Sequence, residues 1–345
     1  MPALRLPLTL AAGGALLLAV GACSGADPDD ASTQAAGDVV LYSGRAENLV
    51  GPLVERFEEQ SGIDVEVRYD GTTALAALLL EEGEASPAQV FLSQDAGALG
   101  AVADAGLLAT LPEDVAGAAP EGFTSTDGSW VGVTGRARVI AYDGQELTAA
   151  DLPESVLGLT DPQWKGRVGI APTNASFQSF VTALRVLEGE DAALAWLEGM
   201  VENDVQIFES NGAILEAVNS GRLDVGLINH YYWYETAAEL GQDAMRAQIA
   251  FLEPGDPGAL VNVSGAGILA GAAEDPDALA LVTYLVSEDA QRYFAEETFE
   301  YPLAAGVAAP EGLPALEDLR NPELDLADLD SLAVTVDLIA QAGLT

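Results

Sequence analysis

A chain of 345 residues that is 49% hydrophobic and 20% charged is a well-packed globular protein, and its length suggests about two domains. Against 55 acidic residues stand 13 basic ones, of which only Lys165 is a lysine, for a formal charge of −42. That balance excludes nucleic acid and anionic membrane surfaces as electrostatic partners, is compatible with attraction to cations, and otherwise describes a solvated acidic exterior.

The N-terminus "MPALRLPLTLAAGGALLLAVGAC" carries one positive charge at Arg5, an apolar run over residues 6–20 and small residues before Cys23. This layout predicts a secretory signal over residues 1–22, too short and too rich in small residues for a membrane span. "VGAC" resembles the lipobox of bacterial lipoproteins, which implies lipidation of Cys23 and an anchor on the outer face of the cytoplasmic membrane. Cys23 is the only cysteine, so it has no internal disulfide partner. The alternative is an ordinary secretory signal with an incidental cysteine. Residues 23–38 then read as an acidic flexible tether, with the folded part beginning at Val39.

From there short apolar runs alternate with helical patterns. "VVLY" (39–42) predicts a strand, followed by a helix with Leu49, Leu53 and Phe57 on one face and a stop at Gly62. "IDVEVRY" predicts a strand, "TTALAALLLEEG" a helix, and "AQVFL" (88–92) a third strand before a helix carrying Leu99 and Val102. After a loop region with Pro112, Pro120 and Gly122, "ARVIAY" and "RVGIA" predict strands. Two helices follow, one bearing Phe177, Val181 and Leu184, the next Leu194 and Leu197. "VQIF" (205–208) predicts a strand, residues 211–221 a helix, and "DVGLI" (224–228) another strand ending where "NHYYWYE" begins. The repeated βα units argue for an α/β fold with mostly parallel sheets flanked by helices.

In such sheets ligands gather at the carboxyl ends of strands. Those ends carry Arg45, Gln94 with Asp95, Asn174 with Ser176, and the aromatic cluster at 230–234, expected in an edge loop. His230 is the single histidine in the chain. Its position directly before Tyr231 suits an orienting or structural role more than ligation, and Trp233 and Tyr234 suit packing. Paired tyrosines at a strand end are commonly packing residues. Phenolates are also hard oxygen donors, and a phenol with a pKa near 10 ionises where a strong positive charge such as Fe³⁺ stabilises the anion. Divalent Ca²⁺ or Mg²⁺ favours carboxylates and carbonyls instead. No G-x-S-x-G, H-E-x-x-H, Walker A loop or G-x-G-x-x-G is present, which leaves an enzyme reading without support.

"INHYYWYE" resembles the "INNYYWY" signature of bacterial ferric-ion-binding proteins, the periplasmic transferrin-like components of iron ABC transporters. "LYSGRAENLVGPLVERFEEQSGIDVEV", "SPAQVFLSQDAGALGAVADAGLL", "WVGVTGRARVIAYD", "PQWKGRVGIAPTNASFQSFVTAL", "GDPGALVNVSGAGIL", "EYPLAAGV" and "LIAQAGL" extend the likeness over nearly the whole mature chain. The resemblance implies a two-domain, hinged, type II-like periplasmic-binding-protein fold. One domain would hold residues 39–136 plus 262–310 and the other 137–261 plus 311–345. It further implies a monomer that delivers iron to a permease with a cytoplasmic ATPase.

By the same resemblance Tyr231 and Tyr232 fall on the paired tyrosine ligands. This chain departs where some members place a histidine, a carboxylate and a third tyrosine, which here read Ala46, Gln94 and Ser176. Two phenolates plus carbonate overshoot Fe³⁺ by one negative charge, and Arg45 could hold such an anion and restore balance. Asn174, Ser176 and Asn211, at predicted helix starts, are candidate anion contacts or simple caps. Arg136 and Arg138 lie near the inferred crossover, and Asp95 and Glu47 are possible substitute carboxylates. The alternatives are the same fold binding an anion or small organic acid without iron, or a ligand-sensing lipoprotein.

Overall fold

The structure, a computed structural model, describes residues 38–319, 324, 326, 329 and 331–344. The signal segment, Cys23 and the tether up to residue 37 lie outside the described residues.

Residues 39–104 follow their apolar periodicity. Strand β1 (Val39–Ser43) leads to α1 (Glu47–Ser61), β2 (Val65–Tyr69), α2 (Thr72–Glu82), β3 (Val90–Ser93) and α3 (Ala96–Asp104). Leu49, Val50, Leu53, Val54 and Phe57 bury one face of α1, and Gly62, at φ 74°, ends it by donating its N–H to the Glu58 carbonyl. β2 alternates half-buried and exposed residues, as an edge strand should, whereas β3 is buried throughout.

A short α4 (Glu113–Ala116) precedes β4 (Val131–Asp143), a 13-residue strand buried along nearly its whole length. It begins six residues before the strand expected at "ARVIAY", because Gly132, Gly135 and Arg136 interrupt the apolar run, while pairing with β9 continues across a register shift between Gly132 and Thr134. Gly132 is required there: a Cβ would stand 2.2 Å from the Phe123 carbonyl oxygen. The chain continues through β5 (Val168–Ile170), α5 (Ala175–Glu188), α6 (Glu190–Glu202), the two-residue β6 (Gln206–Ile207), α7 (Asn211–Asn219), β7 (Val225–Asn229) and α8 (His230–Leu240). Then come β8 (Ala247–Ala250), β9 (Val261–Ile268), α9 (Pro276–Leu285), α10 (Glu288–Glu297), β10 (Tyr301–Pro302), α11 (Leu316–Leu319) and α12 (Leu332–Gln341).

The strands line up as β2-β1-β3-β9-β4-β7-β5-β6, with β8 and β10 also pairing with β4. The outer pairings, β1 with β2 and β3 and β5 with β6 and β7, are parallel, as the βα grammar demands. All pairings of β4 and β9 are antiparallel, so the fold is α/β with a mixed sheet flanked by helices. β4 is shared along its length. Val131–Ala137 pair with β9, whereas Arg138 pairs with Asn229 and the rest of the strand runs on against β7 and β8. Arg136 and Arg138 therefore straddle the point where one set of partners gives way to the other. Farther out, α2 and α5 are joined by Thr73 Oγ1 donating to Gln178 Oε1 at 3.0 Å.

Candidate metal and anion site

The tyrosines do not sit in an edge loop. β7 runs straight into α8, with Asn229 as N-cap in extended geometry, so residues 230–234 form the first turns of a helix. Helical geometry gives each ring of the cluster a different environment. His230 points into the core, fully buried. Its Nε2 lies 2.9 Å from the Phe299 carbonyl and its Nδ1 3.2 Å from the Ala137 N–H, which fits a neutral ring donating through Nε2 and accepting through Nδ1. Burial pulls its pKa down to about 4 despite those backbone bonds. Trp233 is buried and donates to the Ala247 carbonyl at 2.7 Å. Neither ring is free to hold a ligand.

Tyr231 is buried and Tyr232 half-buried, and their rings stack with centroids 4.4 Å apart. Arg45 lies against the pair, its guanidinium carbon 5.7 Å from the Tyr231 ring centre. Burial, then the neighbouring Tyr231, raises the Tyr232 pKa well above the ordinary phenol value, with Arg45 opposing. Tyr232 thus stays protonated at neutral pH unless a strong cation arrives. Among the described residues no three His, Cys, Asp or Glu side chains gather in metal-holding geometry, so a metal here would draw on phenol oxygens.

Facing the phenols are three buried guanidiniums, Arg45, Arg136 and Arg138. Arg45 Nη2 donates to Glu300 Oε2 at 2.8 Å, Arg136 Nε lies 3.8 Å from Glu300 Oε1, and Arg138 Nη1 donates to Ser176 Oγ at 3.0 Å. Arg45 Nε, all three Arg136 nitrogens and Arg138 Nη2 are buried without a hydrogen-bond partner. Unpaired buried donors are costly, and three like charges add repulsion. Burial and then Arg136 bring the Arg138 pKa down to about 9, which still leaves it charged at neutral pH. For Arg45 burial acts downward too, but Glu300 and the two tyrosines outweigh it and the net shift is upward. This arrangement offers directed donors to an anion.

Other predicted residues fall on both sides of that cluster. Asn174 caps α5, its Oδ1 accepting from the Ser176 N–H at 3.0 Å and from Ser176 Oγ at 2.6 Å. Ser176 Oγ also accepts from Asn211 Nδ2 at 3.0 Å. Asn211 is fully buried with Oδ1 unpartnered, and Ser210, not Asn211, caps α7. Gln94 is half-buried and held by its backbone N–H on Thr72 Oγ1, while its side-chain nitrogen is buried without a partner. The substitute carboxylates are placed otherwise. Asp95 caps α3 through Ala98 N–H at 2.9 Å, with its pKa raised by burial, and Glu47 is exposed in the first turn of α1 beside exposed Ala46.

Two residues of the site were not singled out in the sequence. Glu300 is fully buried and accepts from Arg45, from Thr134 Oγ1 and from Thr298 Oγ1, the last two at 3.1 Å. Nothing marks it among 55 acidic residues. Glu235 follows Tyr231 by one helical turn and lines a cavity of about 620 Å³ with Glu239, Glu296, Glu297 and Arg56. Burial, then Glu300, pushes its carboxyl up to about 8. Reading the cluster as a helix instead of a loop would have found it by its spacing.

A sheet shared between two sets of strands, with polar strand ends and helix starts converging on unpaired buried cations, defines a solute-binding protein. The chain belongs to the family of bacterial extracellular solute-binding proteins, which it matches over residues 85–329. It is 36% identical over 307 residues to the Fe(3+)-binding periplasmic protein of Serratia marcescens, covering 89% of this chain and 90% of that one. Iron-bound HitA from Pseudomonas aeruginosa superposes with a TM-score of 0.83 at 33% identity, covering 88% of this chain and 99% of the other. A Trichodesmium protein (IdiA, FutA) in complex with iron and citrate gives 0.71 at 27% identity, with 89% and 99% covered. These neighbours are two-domain periplasmic binding proteins, and the fold here is of that class.

Proposed function

We propose that this protein captures Fe³⁺ outside the cytoplasm through the phenolates of Tyr231 and Tyr232, together with an exogenous anion, and delivers it to a membrane permease driven by a separate ATPase. The observation that carries this reading is the stacked phenol pair set against a cluster of buried guanidiniums with unpartnered nitrogens. Fe³⁺ supplies the charge that releases the phenolic protons, that of Tyr232 against the burial that raises its pKa. An anion such as carbonate completes the metal's coordination and takes the unpaired donors of Arg45, Arg136 and Arg138. Ser176 and Asn211, linked to Arg138 and capped by Asn174, hold the far side of that anion, and Gln94 lies at the rim. The names of the relatives, which bind ferric iron, support the choice of metal.

In this reading residues 39–136 plus 262–310 and residues 137–261 plus 311–345 act as two domains hinged where β4 and β9 pass between them. The Thr73–Gln178 bond then bridges the lips of a closed cleft. Release follows protonation of the phenolates, loss of the anion or reduction to Fe²⁺. Lipidation at Cys23 keeps the monomer at the membrane surface beside its permease. Adding ferric citrate to the purified protein is expected to give a tyrosinate-to-iron charge-transfer colour that Tyr231→Phe/Tyr232→Phe abolishes. No colour with any anion would sink the iron reading.

A second reading, binding of an anion or small organic acid without iron, draws on the same unpartnered arginine nitrogens. It predicts thermal stabilisation by anions alone that survives the double phenylalanine change.

A further inference from the structure

Resting on the iron-and-anion function proposed above, we infer that Glu300 sets the charge of the anion the site accepts, acting through Arg45 and Arg136 as a positioning residue. Its carboxylate is fully buried between the two guanidiniums, with Arg45 Nη2 at 2.8 Å and Arg136 Nε at 3.8 Å. Thr134 and Thr298 each donate a hydroxyl at 3.1 Å, so both carboxylate oxygens are fixed. The backbone serves the same placement. Phe299 adopts φ 54°, unusual for a residue with a side chain, and its carbonyl lies 2.9 Å from His230 Nε2 at the start of the tyrosine helix. One short segment therefore ties the tyrosine helix and the arginine cluster together.

The consequence is electrostatic. Three buried arginines and Fe³⁺ bring six positive charges to the site. Two phenolates and Glu300 remove three, and Asp95, whose burial raises its pKa, removes at most one more. Two or three positive charges remain for the exogenous anion, and Glu300 alone shifts that remainder by one. Because Glu300 occupies a terminal nitrogen of Arg45 and leaves the Arg136 nitrogens unpartnered, it also determines which guanidinium edges the anion meets. A unit charge in a buried site changes the preference between anions differing by one charge about tenfold to a hundredfold.

The test uses Glu300→Gln, which keeps the shape and can still engage Thr134 and Thr298. Wild type and variant are loaded with Fe³⁺ in bicarbonate, in phosphate and in citrate, and iron retention against a competing chelator is followed by the visible band. A parallel arm reads thermal stabilisation of the iron-free proteins by each anion. The ratio of citrate to bicarbonate binding is expected to rise at least about tenfold in the variant. A role confined to fold stability lowers all anions alike, and an unchanged ratio overturns the inference. Glu300→Gln/Arg136→Gln restores the net charge and is expected to return the ratio to the wild-type value, whereas a ratio that stays high overturns it. Should Glu300→Gln fail to fold, Arg136→Gln alone must move the ratio the opposite way, and no movement is equally fatal. Absence of iron colour in wild type with anion stabilisation intact sinks the iron reading only, since the anion arm still decides the role of Glu300. Absence of both overturns the two together.

Discussion

Acid should destabilise this protein through its one histidine. His230 is fully buried with both ring nitrogens on backbone groups, and its folded pKa lies near 4 against an ordinary value of 6.5. Between those values the unfolded chain binds a proton that the folded chain refuses, so stability is complete above about pH 6.5 and is lost as pH falls toward 4. Taking both pKa values, acidification from pH 7 to pH 5 costs about 2 kcal/mol from this residue alone. The chain also carries 55 acidic residues, so the measurement must be a difference. Urea unfolding of wild type and His230→Gln at pH 7, 6 and 5 isolates it. The glutamine variant starts less stable at pH 7, having lost part of the ring's packing against Tyr231 and Tyr301, whose centroids lie 5.9 and 5.1 Å away. Its loss on acidification should then be smaller by about 2 kcal/mol. Parallel losses in the two proteins would refute the burial of a neutral imidazole at this point.

Three further outcomes follow from packing and charge. Arg45→Met strips Glu300 of its closest cation but leaves two hydroxyls and Arg136 in place, so the cost should fall at the low end for a broken buried pair, about 3 kcal/mol, read by urea unfolding. Gly44→Ala places a Cβ 1.9 Å from Thr72 Oγ1 and 3.0 Å from the Thr72 Cα, which should cost about 1–3 kcal/mol, with partial recovery when Thr72→Ala is added. Tyr232→Phe removes a half-buried phenol and should shift the iron-free melting temperature by no more than a few degrees while abolishing the visible band on iron addition, a contrast differential scanning fluorimetry and absorbance check together.

Strand and helix types were legible wherever apolar spacing dominated. The α1 stop at Gly62, the alternation of β2 and the buried β7 all follow from residue patterns over short windows. β4 was legible only in its second half, because a strand buried on both faces and carrying Arg136 and Arg138 breaks the rule that such strands read as apolar runs. The tyrosine pair stood out by composition, but its helical setting did not: aromatic residues are middling helix formers, and Asn229, a favoured N-cap type, makes no side-chain capping bond. Glu300 was invisible for a different reason. Its ion-pair partners, Arg45 and Arg136, lie 255 and 164 positions away, and no local pattern encodes a contact of that separation.

The arginines and the phenols explain each other. Three of the chain's twelve arginines are buried in one place with one well-placed carboxylate between two of them, an arrangement that would weaken the fold if nothing else were bound there. Tyr232, its pKa driven upward chiefly by burial, is equally poor on its own as an anion. In the proposed function a trivalent cation would make the phenols anionic, and an accompanying anion would satisfy the guanidiniums without leaving the metal short of donors. Each component would then be unfavourable alone and stabilising in company, and the proposal makes binding of metal and anion mutually dependent by linkage. Iron affinity should accordingly rise with anion concentration, and anion affinity with iron, by the same factor. The exterior works in the opposite sense. With a formal charge of −42 the surface repels anionic iron chelates, so association with ferric citrate should quicken as salt screens that field while the buried site is affected less.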